Sequence, residues 1–173
     1  MLVQATSFFR NAVRSIEDRT IAGKVNNLIV DPENGKVLAF VLECFLSHPK
    51  VVSPQDIVGY SPGVIIIRNC AQIIPLKEIV RAYEIWKKKI DLLDCTCKTE
   101  SGKYLGEIDD YLIDLETMQV MKYYVRGGTI FSPFSPNRII LASKTVKIKR
   151  GLVVVQDEEE QVVEKTMAKA ISS

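Results

Sequence analysis

The sequence predicts a mainly β protein: two small antiparallel β-barrels in tandem, joined by a helix. Three observations carry this reading. Residues 23–43, GKVNNLIVDPENGKVLAFVLE, return in altered form as GEIDDYLIDLETMQVMKYYVRG at 106–127. Within each repeat, apolar and polar residues alternate with a period of two, the mark of a strand with one face buried. Between the repeats lies the one central stretch with helical spacing.

Each element follows from local pattern. In repeat 1, Leu38, Phe40 and Leu42 alternate with Ala39, Val41 and Glu43. In repeat 2, Met121, Tyr123 and Val125 alternate with Lys122, Tyr124 and Arg126. One set should be buried and the other wet. The polar pairs Asn26-Asn27 and Asp109-Asp110 break the alternation at the same place, which predicts a bulge in each repeat. Asn34-Gly35 between two apolar runs is a hairpin signal, because both residues tolerate positive φ. Repeat 2 has Thr117-Met118 there, and methionine would be strained, so a different turn is expected. The repeats end on SPQDIVGYSPGVIII (53–67) and ASKTVKIKRGLVVV (142–155), with Gly63 matching Gly151. The offset is 83 residues from Gly23 to Gly106 but 88 from Gly63 to Gly151. Repeat 2 therefore carries about five extra residues, placed around GGTIFSPFSPN (127–137). Many short strands with regular turn signals suit a barrel, and closure removes exposed edges.

The segment PLKEIVRAYEIWKKKI (75–90) reads as a linker helix. Pro75 suits a first turn. Ile79, Ala82, Tyr83, Trp86 and Ile90 make an apolar stripe, and Lys87, Lys88 and Lys89 load the C-terminal end, where cations are favoured. The tail 157–173 runs from acidic to basic, with Val162, Val163, Met167 and Ile171 as a stripe, and reads as a short helix. The predicted organisation is thus repeat 1 over 1–74, linker helix 75–90, repeat 2 over 91–156, and tail 157–173.

Composition narrows the function. The chain has 173 residues, 47% hydrophobic and 25% charged, with a net charge of +2. The linker carries a local +3 and the tail −3, while 1–74 and 91–156 are +1 each. No region has the one-sided charge of a dedicated nucleic-acid binder. The N-terminus does not read as a signal peptide, and no apolar run approaches the roughly 20 residues of a membrane span. Four cysteines in such a chain are expected to be reduced thiols in the cytoplasm.

The recurring order of glycine, β-branched residue, polar pair, apolar triplet, Asp31 or Asp114, turn and apolar strand resembles the PRC-barrel domain. So does the polar-x-Ile/Val ending that leads into glycine and a valine-rich run. That family includes the cytoplasmic domain of the photosynthetic reaction-centre H subunit and the C-terminal domain of a bacterial ribosome-maturation factor. The resemblance covers most of the chain as two tandem domains. It implies a small barrel used as a binding surface or assembly module, with no catalytic residue and no cofactor to carry over. The reaction-centre subunit's membrane helix and the ribosome factor's N-terminal domain have no counterpart here.

Candidate chemistry is sparse. His48, the only histidine, sits in CFLSHPK and reads as a polar loop residue. Cys95-Thr96-Cys97 lacks zinc-ligand spacing and a second pair, and reads as two small residues on alternate faces at a strand start. Asp109, Asp110, Asp114 and Glu116 do not match a calcium loop and are expected to serve turns. KTVKIKR (144–150) should present Lys147 and Lys149 on a wet side, and with Lys87–Lys89 could form a basic patch. Phe131 and Phe134 lie in the Ser/Pro-rich insertion, either as partner contacts or as a plug for the barrel end. No phosphate loop or nucleophile elbow is present. The expectation is a non-enzymatic binding module with a protein partner. The alternative is an RNA- or ribosome-associated factor using the basic patches. A third class is an enzyme or metal protein built on Cys95, Cys97 and His48.

Overall fold

A computed structural model describes residues 1–43, 48–128 and 136–157. Phe131, Phe134 and the tail from residue 158 onward lie outside these residues.

The chain is mainly β, with strands β1 (Leu2–Gln4), β2 (Ala12–Ser15), β3 (Thr20–Val30), β4 (Val37–Leu42), β5 (Lys50–Val52), β6 (Ile57–Ser61), β7 (Val64–Ile67) and β8 (Ile73–Pro75). Helix α1 (Val80–Lys87) follows, then β9 (Thr96–Thr99), β10 (Tyr104–Asp114), β11 (Gln119–Arg126), β12 (Arg138–Leu141), β13 (Thr145–Lys149) and β14 (Leu152–Val155). The α-helix is shorter than its 75–90 pattern. Ile73–Pro75 extends as β8, and a 3₁₀ turn occupies Leu76–Glu78.

Two seven-stranded sheets result, one of them curled into a half-barrel. The first runs β6-β7-β2-β3-β4-β5-β8. The second runs β13-β14-β9-β10-β11-β12, with β1 added alongside β10. Six strands thus recur in the same spatial order. Each sheet also contains one parallel pair, β2 with β7 and β9 with β14, where the sequence suggests antiparallel pairing throughout. The rest of each repeat supplies the long connection a parallel pair needs.

The bulges fall where the polar pairs predict them. Register slips between Val25 and Asn27 in β3, and between Ile108 and Asp110 in β10. The turns do not differ as expected. Gly35 has φ 71° and Met118 has φ 52°, so both repeats use a left-handed residue at the same position. A non-glycine residue there costs about 1–2 kcal/mol. Two contacts offset this cost: the Met118 carbonyl accepts the Val37 amide at 2.8 Å, and its side chain packs against the core.

That hydrogen bond has a mirror partner. The Val120 amide donates to the Gly35 carbonyl at 2.9 Å, around a bridge between Lys36 and Gln119. Lys36 and Gln119 are 83 residues apart, the offset of the repeat, and the two hydrogen bonds link the residues that flank them, Gly35 with Val120 and Val37 with Met118. The two hairpin tips therefore meet as equivalent surfaces about a local two-fold axis.

The segments leading into each repeat are crossed. Those before repeat 1 lie on repeat 2: β1 pairs with β10, and the Thr6 amide and hydroxyl donate to the Asp110 carboxylate at 3.2 and 2.5 Å. Those before repeat 2 lie on repeat 1: Asn27 Nδ2 donates to Asp91 at 2.8 Å, and Arg81 of α1 reaches Asp31 at 2.9 Å. Asp114, the counterpart of Asp31, takes the Met1 ammonium at 3.2 Å. The inner faces of both sheets share one core, in which Leu28, Phe40 and Ile65 join Ile108, Tyr111 and Tyr123.

Candidate functional site

The outer faces of the two sheets are built on the same strands and treated differently. In repeat 1, Ile29, Ala39, Val41 and Val51 point away from the shared core. Cross-strand register sets Ile29 opposite Ala39, and Val41 opposite Val51. This is not a wet face: all four are buried beneath Leu76, Ala82 and Ile85, with Trp86 and Ile79 at the margin. Helix α1 forms because its apolar stripe has this sheet to lie on. An eight-residue helix has little stability of its own, so packing dominates. Arg81 closes the side, donating to both Asp31 oxygens. Burial alone would raise the Asp31 carboxyl. The Arg81 and Glu33 hydrogen bonds outweigh it and hold it below the usual carboxylate value.

The counterparts in repeat 2 are Leu112, Lys122, Tyr124 and Ile139. Leu112 stands opposite Lys122, and Tyr124 opposite Ile139, in the same registers. Among the described residues no α-helix lies over them, and Leu112, Lys122 and Tyr124 are half-buried. Ile139 is 60% exposed, and Leu141, opposite Lys122, is 47% exposed. Met121 is also exposed, although alternation places it with Tyr123 and Val125. The second register slip, between Leu112 and Ile113, moves Val120 inward in its place. Leu2 of β1 extends the apolar surface beside β10. These residues form a largely apolar face of exposed and half-buried groups, with Lys122 set between Leu112 and Leu141. Contiguous exposed apolar surface marks interaction sites more often than scattered single residues do.

The sequence-derived candidates take other places. Lys87 ends α1, its ammonium 4.7 Å from the centre of the Tyr83 ring. Lys88 and Lys89 follow, both exposed. Lys147 and Lys149 project from the edge strand β13, also exposed, while Ile148 between them turns inward. Ile90, Asp91 and Leu92, which follow the first segment, line a crevice together with the inward Ile148, but none of the five lysines lines it.

Cys95 and Cys97 are both buried and share a face, since two residues along a strand restore the same side; the alternate-face expectation fails. Cys95 Sγ donates to the Asp91 carbonyl at 2.7 Å. Burial pushes both thiols up to about 11, so at neutral pH neither is a thiolate nucleophile or ligand. His48 is exposed at a bend before β5, away from this pair in chain and burial class. Asp110 caps Thr6 and the Tyr111 amide, and Asp114 orders its own turn through the Glu116 amide. Among the described residues, no three His, Cys, Asp or Glu side chains converge as a metal site.

The apolar face was missed from sequence because the insertion in repeat 2 hides the match between Val51 and Ile139. The run RIIL at 138–141 is the signal that could have found it. No protein-family model matches the chain, and no curated protein does.

Proposed function

We propose that this chain is a non-enzymatic cytoplasmic adaptor of two PRC-barrel-like units, acting by binding a protein partner. The observation that carries the reading is the outer face of β10, β11 and β12. In repeat 1 the equivalent surface is occupied by an amphipathic helix that lays Ala82, Ile85 and Leu76 on the sheet. The face in repeat 2 keeps the same strands and a similar apolar content, so the fitting ligand is a helix of the same kind offered by the partner. Its stripe would combine small and branched apolar residues, with an acidic residue positioned for Lys122. Helix-in-groove recognition of this sort takes its affinity from apolar anchors and its register from flanking charge. The rigid core shared by both repeats presents the face without an ordering cost.

The test compares the full chain with the double variant I139D/L141D. Nuclease-treated lysate is passed over each, and Tm and sedimentation are measured. The expected result is a discrete protein retained by the wild type, lost by the variant, with Tm unchanged. Retention of the same proteins by the variant overturns the proposal. A fall in Tm of several degrees shows the face to be covered within the chain. A dimer abolished by the variant shows a second copy to be the occupant.

A further inference from the structure

One cationic face lies where no single stretch of sequence displays it. On the outer side of β9, β14 and β13, Lys98 is aligned with Val154, and Val154 with Lys147. Tyr104 of β10 stands opposite Lys98 on the other flank. One step along the strands, Thr96, Leu152 and Lys149 make the next row. Their inward neighbours Cys97, Ile148, Val153 and Val155 are buried, which fixes the side on which the lysines stand. Lys98, Lys147 and Lys149 are exposed, and so is Tyr104.

Strand spacing puts Lys98 and Lys147 roughly 10 Å apart across the sheet, and Lys147 and Lys149 about 7 Å apart along it. The Debye length at physiological salt is about 8 Å, so Lys147 and Lys149 act as one patch, and Lys98, just beyond it, adds a separate phosphate contact on the same face. None of the three pairs with a described acidic residue. The fold does not require the charges. The equivalent row of repeat 1 reads Ile21, Arg14, Ile66 and Gly59, with a single cation.

We infer that this face binds single-stranded nucleic acid, with phosphates along Lys98, Lys147 and Lys149 and a base stacked on Tyr104. Cations that track a backbone beside an exposed aromatic platform are what single strands need, because their base faces are free to stack. A duplex hides its base faces and would use only the lysines. The inference is independent of the protein-binding face, which uses the far end of β10 at Leu112 with β11 and β12 and does not include Tyr104.

The test is fluorescence anisotropy of the full chain with a labelled oligouridylate of about 12 nucleotides, a length within the range a single sheet platform covers. Salt is varied from about 50 to about 200 mM, the range over which phosphate contacts are strongly screened. Binding should weaken with salt at a log–log slope near −2, about −0.7 for each of three phosphate contacts. K147E/K149E should lower affinity by about tenfold or more and flatten the slope, with Tm unchanged. Y104A should lower affinity by about fivefold or more without changing the slope. Absence of binding at low salt overturns the inference, as does binding indifferent to K147E/K149E. If Y104A has no effect and a duplex or phosphatidylserine vesicles bind as tightly, the face is a general polyanion surface and the single-strand assignment fails.

Discussion

Repeat 1 and repeat 2 share six strands, their order, their bulges and the backbone of their hairpin turns, yet they differ on nearly every outward position. The inner faces had to agree, since both fill one core. The outer faces were free to diverge. Repeat 1 hides Ile29, Ala39, Val41 and Val51 under a helix, while repeat 2 leaves Ile139 and Leu141 in solvent and gathers lysines on β9 and β13. In a duplicated fold the shared residues therefore report architecture, and the unshared ones are where function is to be sought.

The largest effect that sharpens this comparison is expected at matched glycines. A Cβ on Gly106 would lie 2.2 Å from the Arg126 carbonyl oxygen, at φ 141°. Gly106→Ala should cost more than about 4 kcal/mol in urea unfolding. Its counterpart Gly23 meets only the Leu42 side chain, at 3.3 Å, and Gly23→Ala should stay within about 1 kcal/mol. Equal costs would show that the two matched glycines are equally constrained, against the difference in their surroundings.

Next come the outer faces. Ile85→Ala removes a buried anchor of α1 and should cost about 2–4 kcal/mol, whereas Ile139→Ala should change stability by less than about 0.5 kcal/mol. Thermal melts of the two variants side by side decide whether the faces differ as described.

The paired aspartates give a smaller contrast with a pH signature. Asp31→Asn should cost about 1–3 kcal/mol at neutral pH, since a nearly buried carboxylate loses its charge-assisted bonds to Arg81. Asp31 has its folded value below the unfolded one. Its contribution is therefore complete above about pH 4 to 5 and disappears as pH falls through the folded value. The same change at Asp114, whose partner is the exposed Met1 ammonium, should matter less and fade with salt. Denaturant titrations between pH 7 and pH 2 would show both. The smallest expected signal is chemical: Cys95 and Cys97 should resist alkylation at neutral pH in the folded protein and react once it is unfolded, read by mass spectrometry.

Much of the architecture was legible because repetition doubles each signal. The bulges at Asn27 and Asp110 were visible as two polar pairs in register. The turn at Met118 was not. A rule about one residue's φ could not include Val37, whose amide holds that residue from the other repeat. Burial of both faces of β4 was hidden for a similar reason, since Ala39 and Val41 take their environment from α1, more than 40 residues away. The basic face escaped because Lys98, Tyr104 and Lys147 meet only through strand pairing. The linear cluster Lys87–Lys89 was easy to see, but its first member is turned onto Tyr83.

The crossed lead-ins carry a consequence for how this chain can be divided. A cut after Lys88 would not release two self-sufficient halves. One piece would hold β1 and Thr6, which repeat 2 binds, and the other would hold Asp91, which Asn27 binds. Each fragment would be incomplete in the way the other can repair, so the severed chain should reassemble when its pieces are mixed, like the halves of a split reporter.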